Sequence, residues 1–134
     1  MRPGCYHLVI RLRRATELSV GRFGDWRLPA GWYVYTGSAR RGLEARIARH
    51  LRSEKRLHWH VDYLLASPDA SVVEAVRHWG GSFGECELNQ AIEHLPGAQV
   101  PVPGFGASDC RAGCPAHLFY FKQRPVPQRE THHA

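Results

Sequence analysis

The chain has 134 residues, 43% apolar and 22% charged, with a net charge of +6 and a pI near 9.5. That is one domain's length, and the composition is that of a globular chain large enough to bury a core without staples. No stretch approaches the roughly 18 uninterrupted apolar residues of a membrane span, and residues 1–10 lack the pattern of a signal peptide. Membrane, secreted and fibrous classes are set aside, and a cytoplasmic location is expected.

Cys5 to Leu12 is an apolar, β-branched run that predicts a strand. Leu18 to Val20 reads as a short second strand or its edge, and Gly21 and Gly24 bracket a turn. Trp32 to Thr36 is a dense aromatic and β-branched strand, broken by Gly37 and Ser38. Gly42 to Ser53 predicts a helix, because Leu43, Ile47 and Leu51 recur at spacing four as one apolar stripe. His58 to Ala66 suits helix or strand, and a short helix ending near Ser67-Pro68 is the preferred reading. Ser71 to Trp79 alternates as a strand and stops at Gly80-Gly81. Glu85 to Leu95 predicts a helix with Cys86, Leu88, Ala91, Ile92 and Leu95 inward, ended by Pro96-Gly97. Val100 to Asp109 is loop, His117 to Lys122 a last strand, and Pro125 onward a frayed polar tail. The domain is therefore expected over residues 1–124, with the tail at 125–134. Short connections between mixed elements indicate an α+β or small mixed α/β class, without repeats.

The positive charge is concentrated. Arg40, Arg41, Arg46, Arg49, Arg52, Lys55 and Arg56, with His50 as a conditional cation, face only Glu44 and Glu54. A local basic surface attracts a polyanion, and arginine forks to phosphate. A solvated helix face accounts for the same charges equally well.

Three groups carry candidate chemistry. Gly4-Cys5-Tyr6 and Tyr35-Thr36-Gly37 end two strands. If these strands are neighbours, the phenols approach one another, and Gly37 lets backbone approach a ligand. Arg46 and His50 lie one helical turn apart, flanking the apolar stripe with their heads free, so they could meet a phosphodiester together. Glu85 opens a helix, where an acid offsets the macrodipole but could also supply the single carboxylate that magnesium needs.

Together these pieces resemble the GIY-YIG nuclease superfamily. Gly4-Cys5-Tyr6 and Tyr35-Thr36-Gly37 stand where that family has its two tyrosine motifs, and Arg46-x-x-x-His50 follows at a fitting distance. The chain is similar above all to the Uri-type endonuclease-like branch, through Gly31–Ala39, His58–Leu64, and Gly104–Cys110 with His117–Phe121. The resemblance implies a central three-stranded antiparallel sheet flanked by helices, here with an additional C-terminal strand. It also implies metal-dependent hydrolysis of DNA phosphodiesters. On that template Tyr6 and Tyr35 are the active-site tyrosines, one activating or orienting the attacking water, Arg46 stabilises charge on phosphorus, and His50 assists proton transfer or binds the phosphate. Glu85 would hold Mg2+ or Mn2+, the Lewis acid. Gly37, Ser38, Arg40, Arg41, Arg49 and Arg52 would contact DNA. His60, paired with Asp62, is a further candidate, against the alternative of a core histidine beside Trp59. Two departures stand out. The interval from Tyr6 to Tyr35 is long, making residues 13–31 an insertion or longer hairpin. Glu87 also competes with Glu85, although only Glu85 has an apolar residue, Leu88, three positions on.

The four cysteines are expected reduced, with Cys5 and Cys86 in the core. Cys110-x-x-x-Cys114-x-x-His117 could hold zinc with a fourth ligand from Asp109 or elsewhere, but the absence of paired-cysteine knuckles weighs against it. Ser108 and Asp109 are expected to shape the loop, and His132 and His133 have no assigned role. A metal-dependent endonuclease is the leading expectation. A non-catalytic nucleic-acid-binding module of the same fold is the alternative.

Overall fold

A computed structural model of the chain describes residues 3–52, 57, 59–79, 84–107, 110 and 112–127. The first strand, β1 (Gly4–Leu12), is buried at every position except Arg11. A strand covered on both faces reads as a continuous apolar run, which is the pattern seen from Cys5 onward. β1 is central. It pairs antiparallel with β4 (Gly31–Ala39) on one side and β5 (Ala70–Trp79) on the other, and β6 (Leu118–Phe121) joins the outer edge of β4. The main sheet is thus antiparallel, in the order β5-β1-β4-β6. It has four strands, where the resemblance implied a three-stranded centre. The class is α+β.

Residues 13–31 are a hairpin in their own right. β2 (Thr16–Val20) pairs with β3 (Gly24–Leu28) across a 3-10 turn, Gly21–Phe23, forming a separate two-stranded sheet. β3 was not expected. It has no β-branched residue, but it alternates, with Asp25 and Arg27 exposed and Trp26 and Leu28 turned inward. β4 also runs through Gly37 and Ser38 instead of stopping there, because Gly37 pairs with Tyr6 and Ser38 with Cys5.

The sheet separates two cores. Tyr6, Leu8, Ile10, Tyr33 and Tyr35 face α1 (Leu43–Leu51), α2 (His60–Leu65) and the hairpin. Val9, Val34, Phe119 and Phe121 face α3 (Glu85–Glu93) through Ile92. The buried stripe of α1 differs from the expected one: it is Leu43, Ile47 and His50, while Leu51 is 57% exposed. The loop after α3 is folded inward, with Val102 and Phe105 fully buried. Pro125 and Pro127, in the segment expected as a frayed tail, are buried; residues 128–134 of that segment lie outside the described ones. Among the described residues, no helix is long and apolar enough to cross a membrane.

His7 titrates against this packing. It is buried, hydrogen-bonded to Thr36 Oγ1 at 2.9 Å, and packed edge-on against His78. Burial first, and His78 second, lower its pKa to about 3. The folded state therefore holds His7 neutral while the unfolded chain binds a proton below about pH 6.5. Stability is full above that pH and falls as pH drops towards 3, by up to about 1.4 kcal/mol per unit from this residue. Urea midpoints at pH 7 and pH 5 check this: the difference should shrink in His7→Gln, and an equal drop in both proteins would contradict it.

Candidate active site

The site lies at the end of the sheet where β1 begins, β4 ends and β6 begins. The register places Tyr6 opposite Gly37 and Leu8 opposite Tyr35, so the two tyrosines are diagonal neighbours on one face. Their ring centroids are 6.3 Å apart. They form the floor of a cleft of about 520 Å³ whose walls include Arg46, Trp59, His60 and Glu85. Both phenols are nearly buried, Tyr6 at 1% and Tyr35 at 7% exposure. Burial raises both pKa values, partly opposed by Arg46, so each stays a neutral phenol.

Gly37 serves this floor directly. A Cβ there would stand 2.5 Å from the Tyr6 hydroxyl, so the missing side chain is what lets Tyr6 pack over this strand. Gly37→Ala should cost about 1–3 kcal/mol by overpacking. A melting temperature equal to wild type would show that Tyr6 moves aside freely.

His50 is buried, not free at the core margin. Its Nε2 stands 2.7 Å from the Tyr6 hydroxyl and its Nδ1 3.9 Å from Asp62 Oδ1. Asp62 has 0% exposure and receives a two-pronged bond from Arg49, at 3.0 and 3.1 Å. It also accepts the Trp59 backbone N–H at 2.9 Å, which starts α2. Arg49, expected at the DNA, therefore holds Asp62, and its guanidinium lies 4.3 Å from the centre of the Trp59 ring. Arg46 packs on the same ring at 4.4 Å and donates from Nη1 to the Ser38 carbonyl at 3.0 Å. It stays half-buried at the cleft wall.

The expected His60–Asp62 pair does not form. His60 Nδ1 instead accepts the Gly106 backbone N–H at 2.8 Å, and the ring stacks on Phe23 at 4.4 Å. Burial lowers its pKa. With Nδ1 an acceptor, neutral His60 carries its proton on Nε2. It can donate a hydrogen bond in the cleft but not remove a proton there.

Glu85 enters from the first turn of α3, whereas Glu87 is exposed on that helix and does not line the cleft. Ser38 Oγ donates to Glu85 Oε1 at 2.6 Å, and His117 Nδ1 stands 2.7 Å from Oε2. Burial pushes the Glu85 pKa up, but His117, Ser38 and Arg46 outweigh it, so the carboxyl is held below its usual range. His117, favoured by Glu85 against its own burial, is raised to about 9. The other end of His117 meets three cysteines. One ligand atom from each of Cys86, Cys110, Cys114 and His117 lies within 4.8 Å of the others, a cluster that could hold a metal ion such as zinc. Cys86 was expected in the core and supplies the fourth position instead; Asp109, the expected candidate, lies outside the described residues.

Arg40, Arg41 and Arg52 are exposed around the ends of α1, where a polyanion can reach them. Ser38 is exposed too, but its hydroxyl is engaged by Glu85. Sequence reasoning missed the Trp59 platform, the Arg49–Asp62 pair, Phe23 and Cys86. The first two depend on how α1 and α2 lie together, and no local pattern signals them.

A family model, described as domain of unknown function DUF123, matches residues 5–134. No curated protein and no solved structure matches the chain.

Proposed function

The chain belongs to the DUF123 family, and we propose that its cleft hydrolyses DNA phosphodiester bonds, in the manner of the GIY-YIG nucleases it resembles. The observation that supports this most is convergence. Tyr6 from β1, Tyr35 from β4, Arg46 from α1, His60 from α2 and Glu85 from α3 line one opening, and His50 from α1 is buried behind the Tyr6 hydroxyl.

A phosphate in the cleft would accept hydrogen bonds from the Arg46 guanidinium and His60 Nε2, which oppose the negative charge that builds on its oxygens. Attack by water requires a proton acceptor. The raised tyrosine pKa values argue against a standing tyrosinate. The Tyr6 hydroxyl can instead pass its proton to His50 as its oxygen accepts one from water, across the 2.7 Å contact. The Asp62 carboxylate, 3.9 Å from His50 Nδ1, favours the imidazolium that results. Glu85 fits a single Mg2+ or Mn2+ because it is ionised at the cleft edge, and such an ion takes one or two carboxylates with water and phosphate completing its shell. That ion would supply Lewis acidity to the phosphoryl oxygen. Arg40, Arg41 and Arg52 would guide the DNA backbone, giving recognition of DNA shape rather than of a long sequence.

A binding-only reading draws on one observation: both Glu85 oxygens already have protein partners. Cleavage of single- and double-stranded DNA with magnesium or manganese separates the two. Wild type should cut, and Glu85→Ala should cut at least about 100-fold more slowly while still binding DNA. Binding without cleavage of any substrate by wild type would leave the binding module.

A further inference from the structure

We infer that Cys86, Cys110, Cys114 and His117 form a closed zinc site, and that Glu85 orients its histidine, so that zinc pins the N-terminal turn of α3 to the loop before β6. This inference does not depend on the cleft being a nuclease.

The donor set is the first argument. Three sulfurs and one imidazole nitrogen suit zinc and do not suit magnesium, which takes oxygen. Spacing is the second. Zinc–sulfur bonds of about 2.3 Å place tetrahedral ligand atoms roughly 3.8 Å apart. Here the four atoms lie within 4.8 Å, with Cys86 Sγ 3.2 Å from Cys110 Sγ and 3.7 Å from His117 Nε2. That is room for one ion and too tight for a multi-iron cluster.

The surroundings are the third argument. The loop that carries Cys110 and Cys114 turns through Gly113 at φ 79°, a conformation that favours glycine, and both sulfurs belong to the cluster. Gln90 Nε2 approaches Cys114 Sγ at 4.0 Å. Asn89 Nδ2, fully buried, donates to the Ala116 carbonyl at 2.6 Å and fixes the loop to α3. Finally, His117 presents Nε2 to the sulfurs while Nδ1 stands 2.7 Å from Glu85 Oε2. A carboxylate behind the distal nitrogen sets the tautomer that leaves Nε2 free to ligate. With four protein ligands the ion has no open position, so it would be structural.

The test is elemental analysis of the full chain purified under reducing conditions without added metal. One zinc per chain is expected, lost in Cys110→Ser and Cys114→Ser and kept in Cys5→Ala. If the serine variants do not fold, chelator-stripped wild type refilled with Co2+ should show the sulfur-to-metal charge-transfer bands of a tetrahedral thiolate site at one equivalent. Competition with a chelator should show zinc held about 10–100-fold more weakly in Glu85→Gln and unchanged in Glu87→Gln. Folded wild type without zinc, both as purified and after zinc titration, overturns the site. So does iron in place of zinc, or isolation as a Cys86–Cys110 disulfide that zinc cannot enter after reduction. Equal zinc affinity in Glu85→Gln and wild type overturns the orienting role.

Discussion

Arg46→Ala should slow DNA cleavage by about 10²–10³-fold, the loss seen when one preorganised charge-stabilising donor is removed from an active site. The residue is placed for that effect. Its guanidinium rests on Trp59 at 4.4 Å and is tethered to the Ser38 carbonyl at 3.0 Å, which aims it without using all five N–H groups. The fold should tolerate the loss, because an exposed cation–π contact is worth only about 0.5–1 kcal/mol and Arg49 still covers the ring. DNA affinity should fall uniformly across sequences, with the salt slope reduced by about one. Arg46→Lys should recover part of the binding and little of the rate, since an ammonium cannot hold the carbonyl and a phosphate in one plane. Unchanged cleavage in Arg46→Ala would remove this arginine from the chemistry.

Asp62→Ala should destabilise the fold by about 3–5 kcal/mol, because removing one partner of a buried pair strands the other charge. Asp62 has 0% exposure and the Arg49 side chain 20%. The same carboxylate satisfies the Trp59 N–H at the start of α2, so the loss also leaves a helix-end donor unpaired. For a chain of this size the cost corresponds to a fall in melting temperature of roughly 11–18 °C. Thermal unfolding of Asp62→Ala beside Arg49→Ala tests it. A double variant no worse than Asp62→Ala alone is expected if the two act as a pair. A loss below about 1 kcal/mol would place the pair in the surface class instead.

These two residues show what could be read from the chain and what could not. Arg46 was legible as a cleft residue because the elements that bring it there carry local patterns, the apolar stripe of α1 and the apolar runs of β1 and β4. Asp62 was visible as a candidate but assigned to the wrong partner. The resemblance pointed to His60, while the fold gives His60 the Gly106 N–H and gives Asp62 Arg49 from another helix. Such pairings depend on how α1 and α2 lie together, which no local pattern encodes. Leu51 misled for a similar reason. Spacing four continued the stripe, but His50 occupies the inner position because the Tyr6 hydroxyl and Trp59 give its ring polar and aromatic neighbours there. β3 was missed because its strand signal is alternation over five residues without β-branched side chains. Cys86 looked like core filling, since its cysteine partners lie 24 or more positions away.

On the proposed function, a DNA phosphate sits between Arg46, the two tyrosines and Glu85. A crystal structure of the full chain with a short oligonucleotide and Ca2+, which resembles Mg2+ in its preference for oxygen ligands, tests it most directly. A backbone phosphate is expected within hydrogen-bond reach of the Arg46 guanidinium and His60 Nε2, with Glu85 Oε1 turned from Ser38 to the ion. DNA lying across another face, with the cleft empty and Glu85 still bonded to Ser38, would contradict it.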